Sequence, residues 1–248
     1  MRNHFVALFL VFHVCITVVG CATTQTVRHS SEKSTGLTNA EAPGKADAIV
    51  ADAEPILSQF LTAKHWAAVR NLTGVARAIF ITPSGGQAGF MLGGQWGRGI
   101  LLVRHGQKWS DPVFIKIGAL QVGFLAGAQL VDAAGAILSK DALDLALAGK
   151  PRFSGSGDLT VGAGLSGKVA GGLSGIEVLF VSTNKGVYFG GSFEGLRLSV
   201  DDRLNREAYG DDFDLDRIVS STGGRYPPAN RIRGMLEKAA YQAVWGED

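Results

Sequence analysis

The sequence predicts an α+β fold: an antiparallel, glycine-rich β-sheet with a barrel-like core, N-terminal helices, a short central helix and a C-terminal helix. Three observations predict it. Glycine accounts for 34 of the 248 residues and punctuates two long apolar regions. Because glycine is costly in helices and suited to bulges, turns and close strand contacts, such regions read as sheet. Before them, Ile49, Ala53, Ile56, Leu57, Phe60 and Leu61 recur at helical spacing. Around them, "SKDALDLALAGK" and the segment after Pro227-Pro228 carry helix start and stop signals.

The elements follow in order. Residues 1–20 read as a leader, with Arg2 preceding an apolar run from Phe5 to Val19 that is too short to span a bilayer. The run ends in "VVGC", the layout at which bacterial lipoproteins are acylated, so Cys21 is the expected lipidation site. An ordinary secretory leader with an incidental cysteine is the rival reading. Cys15 lies within the leader, which leaves Cys21 without a disulfide partner. Acyl chains at Cys21 would hold the protein on a membrane. Ala22 follows, with no aspartate to suggest inner-membrane retention, and the outer membrane is the expected location. Residues 21–45 read as the lipidated cysteine and a tether, of which 23–44 are polar, Ser/Thr-rich and aperiodic, with a mean span of roughly 26 Å as a coil. The folded domain is expected over 46–248.

Within that domain Pro55 is expected to start or kink a helix, giving two short helices. "ARAIFITP" reads as a strand ended by Pro83, and "GGQAGFMLGGQWGRGILLVRHG" as hairpin-rich sheet. Residues 117–138 carry a single charge, Asp132, and are long enough to cross a bilayer as a helix. Their glycines and glutamines fit two strands buried on both faces better. "STNKG", residues 182–186, reads as a hairpin turn. Ser139 or Lys140 should start the central helix and Gly149 should stop it.

Charge and motifs narrow the chemistry. Without the leader, 23 basic residues face 22 acidic ones, too even a balance for a nucleic-acid footprint. Gly162 to Lys168 reads G-x-x-x-x-G-K, but Val169 stands where a P-loop needs Ser or Thr, and "AGGLSG" follows instead of a helix. No nucleotide is expected. Asp212, Asp214 and Asp216 have EF-hand-like spacing, yet Arg217 replaces the required glycine and Gly223 the closing glutamate, so a solvated acidic turn is expected. His65 and His105 have no neighbours at metal-ligand spacing, and no Gly-x-Ser-x-Gly elbow occurs. No cofactor, metal or catalytic site is expected. Trp96, Arg98, Arg104, Lys108 and Trp109 cluster around one expected hairpin and form a candidate lipid-contact patch. Alternatively both tryptophans cap the core and the cations are ordinary surface charges.

These segments resemble the SYLF lipid-binding family, whose fungal members are also described as actin-binding. Gly97, Gly99, Leu101, Leu102 and Arg104 match its G-x-G-x-L-L-x-R stretch, and Trp109, Ser110, Pro112, Phe114 and Ile115 its W-S-x-P-x-F-I. Ile117, Gly118, Gly123, Gly127, Ala128, Gln129 and Asp132 match the next motif; Gly195, Asp201, Asn205, Tyr209 and Gly210 match the closing segment. The resemblance runs from about 46 to 210. Leu125 departs from the family's usual glutamine. The family's basic N-terminal helix is here acidic on balance, with Asp47, Asp52 and Glu54 against Lys45 and Lys64, so phosphoinositide specificity does not carry over. The resemblance implies a domain that contacts phospholipid; together with the acylation expected at Cys21, the expected protein is a non-catalytic, membrane-anchored lipoprotein. The alternative is an envelope structural protein whose domain binds a protein partner.

Overall fold

A computed structural model describes residues 44–63, 67–150, 156–160, 165–172, 175–189 and 192–246. Residues 42–248 form one compact unit. Cys21, His65 and the first part of the P-loop-like stretch lie outside the described residues.

Helix α1 covers Lys45–Thr62 and α2 covers Ala67–Leu72. Two helices form as expected, but α1 continues through Pro55, which therefore does not start the second one. A proline there removes one helical hydrogen bond, but Ala53, Ile56, Leu57 and Phe60 around it are buried, and their packing offsets that loss.

Two long strands organise the sheet: β1, Ala78–His105, and β3, Val113–Ile137, with the two-residue β2 (Lys108–Trp109) between them. They pair antiparallel from Ala78↔Ile137 to Leu101↔Val113. Pro83 therefore does not end a strand. It sits in a register shift between Thr82 and Gly85, next to Ser84 at φ 49°. A bulge accommodates a residue that cannot donate to the ladder. Residues 117–138 are neither a helix nor two strands; residues 117–137 belong to β3. Among the described residues no helix is long and apolar enough to cross a membrane.

After β3 come α3 (Lys140–Leu147), β4 (Ser156–Thr160), β5 (Leu165–Gly172), β6 (Gly175–Phe189) and β7 (Ser192–Val200). The seven-stranded sheet runs β2-β1-β3-β6-β5-β4, and β7 pairs with the remaining stretch of β3. The expected turn at residues 182–186 does not form. Asn184 pairs with Val131 and Gly186 with Gln129, because the uninterrupted neighbour β3 offers ladder bonds that outweigh local turn preference. Ser139 caps α3, accepting from the Ala142 amide, and Gly149 follows it at φ 65°, as expected. Helices α4 (Asp202–Tyr209), α5 (Leu215–Val219) and α6 (Asn230–Trp245) complete the chain, with a 3₁₀ turn at Pro227–Ala229 before α6.

Alternation explains the apolar run of the strands. Ile79, Ile81, Ile100, Leu102, Phe114, Ala134 and Ala136 belong to one hydrophobic cluster with α1 and α6. Their neighbours Ala78, Phe80, Leu101, Val103, Val113, Ile115, Val131 and Ala133 belong to a second cluster with α3 and Ile218. A ribbon buried on both faces has no polar face to show.

The ribbon also coils onto itself. A β-carbon on Gly99 would collide with the Ile81 carbonyl oxygen and stand 2.9 Å from the Thr82 α-carbon. No side chain fits between these two limbs of β1.

Candidate functional site

The five expected contact residues do not form one patch. Trp109 is fully buried in the helix-covered cluster, and its indole N–H has no acceptor among the described residues. It is a core residue, and the reading in which this tryptophan contacts lipid is corrected. Arg104 lies half-buried, donating to the carbonyls of Gly106 (2.7 Å) and Gly74. Lys108 pairs with Glu237 on α6 at 3.0 Å. Along an extended strand Arg104 stands about 26 Å from Trp96.

Trp96 is 55% exposed. Its strand alternation puts it on the face that carries Ile100 and Leu102 into the core, beyond the reach of the covering helices. The indole lies on Gly86, where a β-carbon would be 2.7 Å from the ring. Its cross-strand partner is Gly118, which has open space above it. Two residues on, Arg98 pairs across the ribbon with Lys116, and both reach Asp201, at 2.9 and 3.5 Å. Both cations remain about half exposed while Asp201 is buried. An exposed indole beside two cations that share the buried Asp201 suits a phosphate-bearing, partly apolar surface.

Asp201 also caps α4, accepting from the Leu204 amide. Burial raises its carboxyl pKa, but the Arg98 hydrogen bond, the Lys116 charge and the Leu204 amide together hold it below the ordinary 3.8. The folded value lies below the unfolded one. Its stabilisation is therefore complete above about pH 4–5 and is lost as pH falls through the folded value. Comparing urea midpoints of the wild type and Asp201→Asn should show a gap that is constant near neutrality and narrows only below pH 4. A pH-independent gap would contradict this assignment.

Behind the surface lies a polar latch that the sequence did not reveal. Asp111, with no exposed side-chain surface, accepts from Arg233 Nη1 (2.7 Å), the Ser221 hydroxyl (3.1 Å) and the amides of Arg225 (3.1 Å) and Tyr226 (3.2 Å). Asn205 accepts from the Phe114 amide at 3.0 Å and donates to the Phe114 carbonyl at 2.8 Å. The Tyr209 hydroxyl donates to the Pro112 carbonyl at 2.6 Å, and that of Tyr226 to Asp47. Burial first, then neighbouring carboxylate charge, raises both tyrosine pKa values well above their ordinary range, so they act as neutral donors. The matched motif residues of the W-S-x-P-x-F and Asp-Asn-Tyr stretches thus bind the sheet to its helices and expose no reactive group.

The other motifs are structural as well. Lys168 and Val169 lie within β5, not at the amino end of a helix. Asp214 caps α5 and Asp216 lies in its first turn. Among the described residues no cluster of three or more His, Cys, Asp or Glu could hold a metal.

A mixed sheet-and-helix domain whose described motif residues serve as internal struts is the class that the fold defines. Comparison gives the particular family. Residues 118–239 match the family described as "Ysc84: Las17-binding protein actin regulator". The match bears out, over those residues, the resemblance to the SYLF family. The match begins at Gly118, after the Trp109 motif, and extends past Gly210 into α6.

Three fungal proteins are similar. Protein YSC84 of Saccharomyces cerevisiae is 28% identical over 62% of this chain and 34% of its own length. An SH3 domain-containing protein of Schizosaccharomyces pombe is 28% identical over 65% and 39%. LAS seventeen-binding protein 3 of Saccharomyces cerevisiae is 27% identical over 62% and 35%. The chain spans little more than a third of the length of these relatives. No solved structure matches.

Proposed function

We propose that this protein is a non-catalytic lipoprotein, acylated at Cys21 and held on the outer membrane, whose SYLF domain contacts phospholipid through Trp96, Arg98 and Lys116. One observation carries the reading. The amide of Ala46, at the start of the domain, donates to Glu207 of α4 at 2.9 Å, and the same short helix is capped by Asp201, which holds Arg98 and Lys116. Ala46 and the two cations are thus tied to the same eight-residue helix. On a bilayer the indole would lie at head-group depth with the cations toward phosphate.

Two measurements test this. Labelling cells with a clickable fatty acid should mark the wild type and leave Cys21→Ser unmarked. Residues 42–248 should co-sediment with phospholipid vesicles, and Trp96→Ala should weaken partitioning roughly tenfold. A folded wild-type domain that stays in the supernatant with every vesicle composition refutes lipid contact.

A second reading has its own support. The family description names a Las17-binding actin regulator, and one relative is an SH3 domain-containing protein. In that reading the domain binds a protein, and vesicle sedimentation would be negative.

A further inference from the structure

Trp96 is not the only large apolar side chain left in solvent. At the opposite end of α1 from Ala46, the close of α6 and the turn after α2 leave Val75, Tyr241, Val244 and Trp245 exposed, Trp245 at 69% and Val75 at 65%. They belong to one surface. A β-carbon at Gly74 would be 3.0 Å from the Ala243 β-carbon and 3.2 Å from Val244 Cγ2, so the turn bearing Val75 packs directly against the last turn of α6. Tyr241 and Trp245, four residues apart, share a face of that helix, and Lys238 precedes them on it.

The rim is basic. Arg104 donates to the Gly74 carbonyl, Arg77 lies two residues beyond Val75, and Lys238 and Lys108 flank the helix. Glu237 is the acidic side chain described here, and Lys108 already pairs with it at 3.0 Å. An apolar centre with a ring of cations is complementary to an anionic surface that has an apolar interior.

Area distinguishes the candidate occupants. Four side chains exposed to this degree amount to roughly 400–500 Å², the size of the largest patch on an ordinary monomer. A stable dimer needs about 800 Å² from each partner, and this patch is too small for that. Its size suits a tip that dips into a bilayer, where one tryptophan and one tyrosine at the interface suffice to hold it.

We propose that Val75, Tyr241, Val244 and Trp245 form a second membrane-contact surface, which inserts into anionic phospholipid with Arg77, Arg104, Lys108 and Lys238 at head-group level. It rests on the phospholipid reading above but uses different residues, at the far end of an 18-residue helix of about 27 Å. The second tip explains why the sequence-level cluster divided: Arg104 and Lys108 serve this end, and Arg98 serves the other.

The test uses residues 42–248, which contain both hydrophobic clusters, and two sets of vesicles: phosphatidylcholine alone, and phosphatidylcholine mixed equally with phosphatidylglycerol. Trp245→Ala and Tyr241→Ala are surface changes at a helix end, and circular dichroism and thermal melts should confirm their folding. Each should lower partitioning onto the mixed vesicles about tenfold, with much less effect on phosphatidylcholine alone. Brominated lipid should quench wild-type fluorescence more than that of Trp245→Phe. Unchanged binding by both alanine variants overturns the proposal, as does a shift from dimer to monomer in Trp245→Ala with vesicle binding intact. If Trp96→Ala abolishes binding and Trp245→Ala does not, the phospholipid reading stands and this second surface falls. If Trp245→Ala alone abolishes it, lipid contact resides at this end.

Discussion

Replacing Gly99 by alanine should destabilise the domain by about 3 kcal/mol or more, because the added carbon meets backbone and not a movable side chain. The obstruction is the Ile81 carbonyl, with the Ile81 carbonyl carbon and the Thr82 α-carbon at 2.9 Å. Relief would require separating two limbs of β1, each also paired to β3. Gly118→Ala is the matched control, since a β-carbon there meets nothing within 4 Å. It should change stability by less than about 0.5 kcal/mol. Urea unfolding of both variants measures the difference. Equal midpoints would mean that the limbs do not touch.

The second large effect belongs to Asp111. Substitution by alanine leaves the Arg233 guanidinium, 11% exposed, without its carboxylate and strands the Arg225 and Tyr226 amides, while the Ser221 hydroxyl keeps the Ile218 carbonyl as acceptor. Removing one member of a buried ion pair costs about 3–5 kcal/mol. Replacing both members, as in Asp111→Leu with Arg233→Met, should recover only part of that loss, because the Arg225 and Tyr226 amides still lack an acceptor. A double-mutant cycle monitored by thermal melting separates the two contributions. A double variant as stable as the wild type would show that the amides contribute nothing.

Much of the architecture was legible in the sequence because it rests on local rules. Ser139 and Gly149 bound α3 by capping chemistry, and the glycine-rich apolar regions became sheet. What escaped depends on distant partners. Asn184 and Gly186 look like a turn until Val131 and Gln129 stand opposite them, and Pro83 looks like a strand end until a bulge takes it in. The site divided for the same reason. Trp96 and Trp109 are near neighbours in sequence with similar flanks, yet one falls beyond the helical layer and the other beneath it. Nothing local marks Asp111 as a buried hub, since its donors come from more than 100 positions later.

The register of the long ribbon dictates an order of assembly. Leu101 and Val113 are twelve positions apart, whereas Ala78 and Ile137 are fifty-nine apart. Closing the wider loop unaided costs more chain entropy, about 0.6 kcal/mol for each doubling, and far fewer encounters find it. Pairing that starts at Gly106 and zips outward never faces that search, because each bond formed shortens the next. Assembly from the middle of the ribbon toward both ends is thus the route of least loop closure, and along it α1 and α6 dock after the strands beneath them have met.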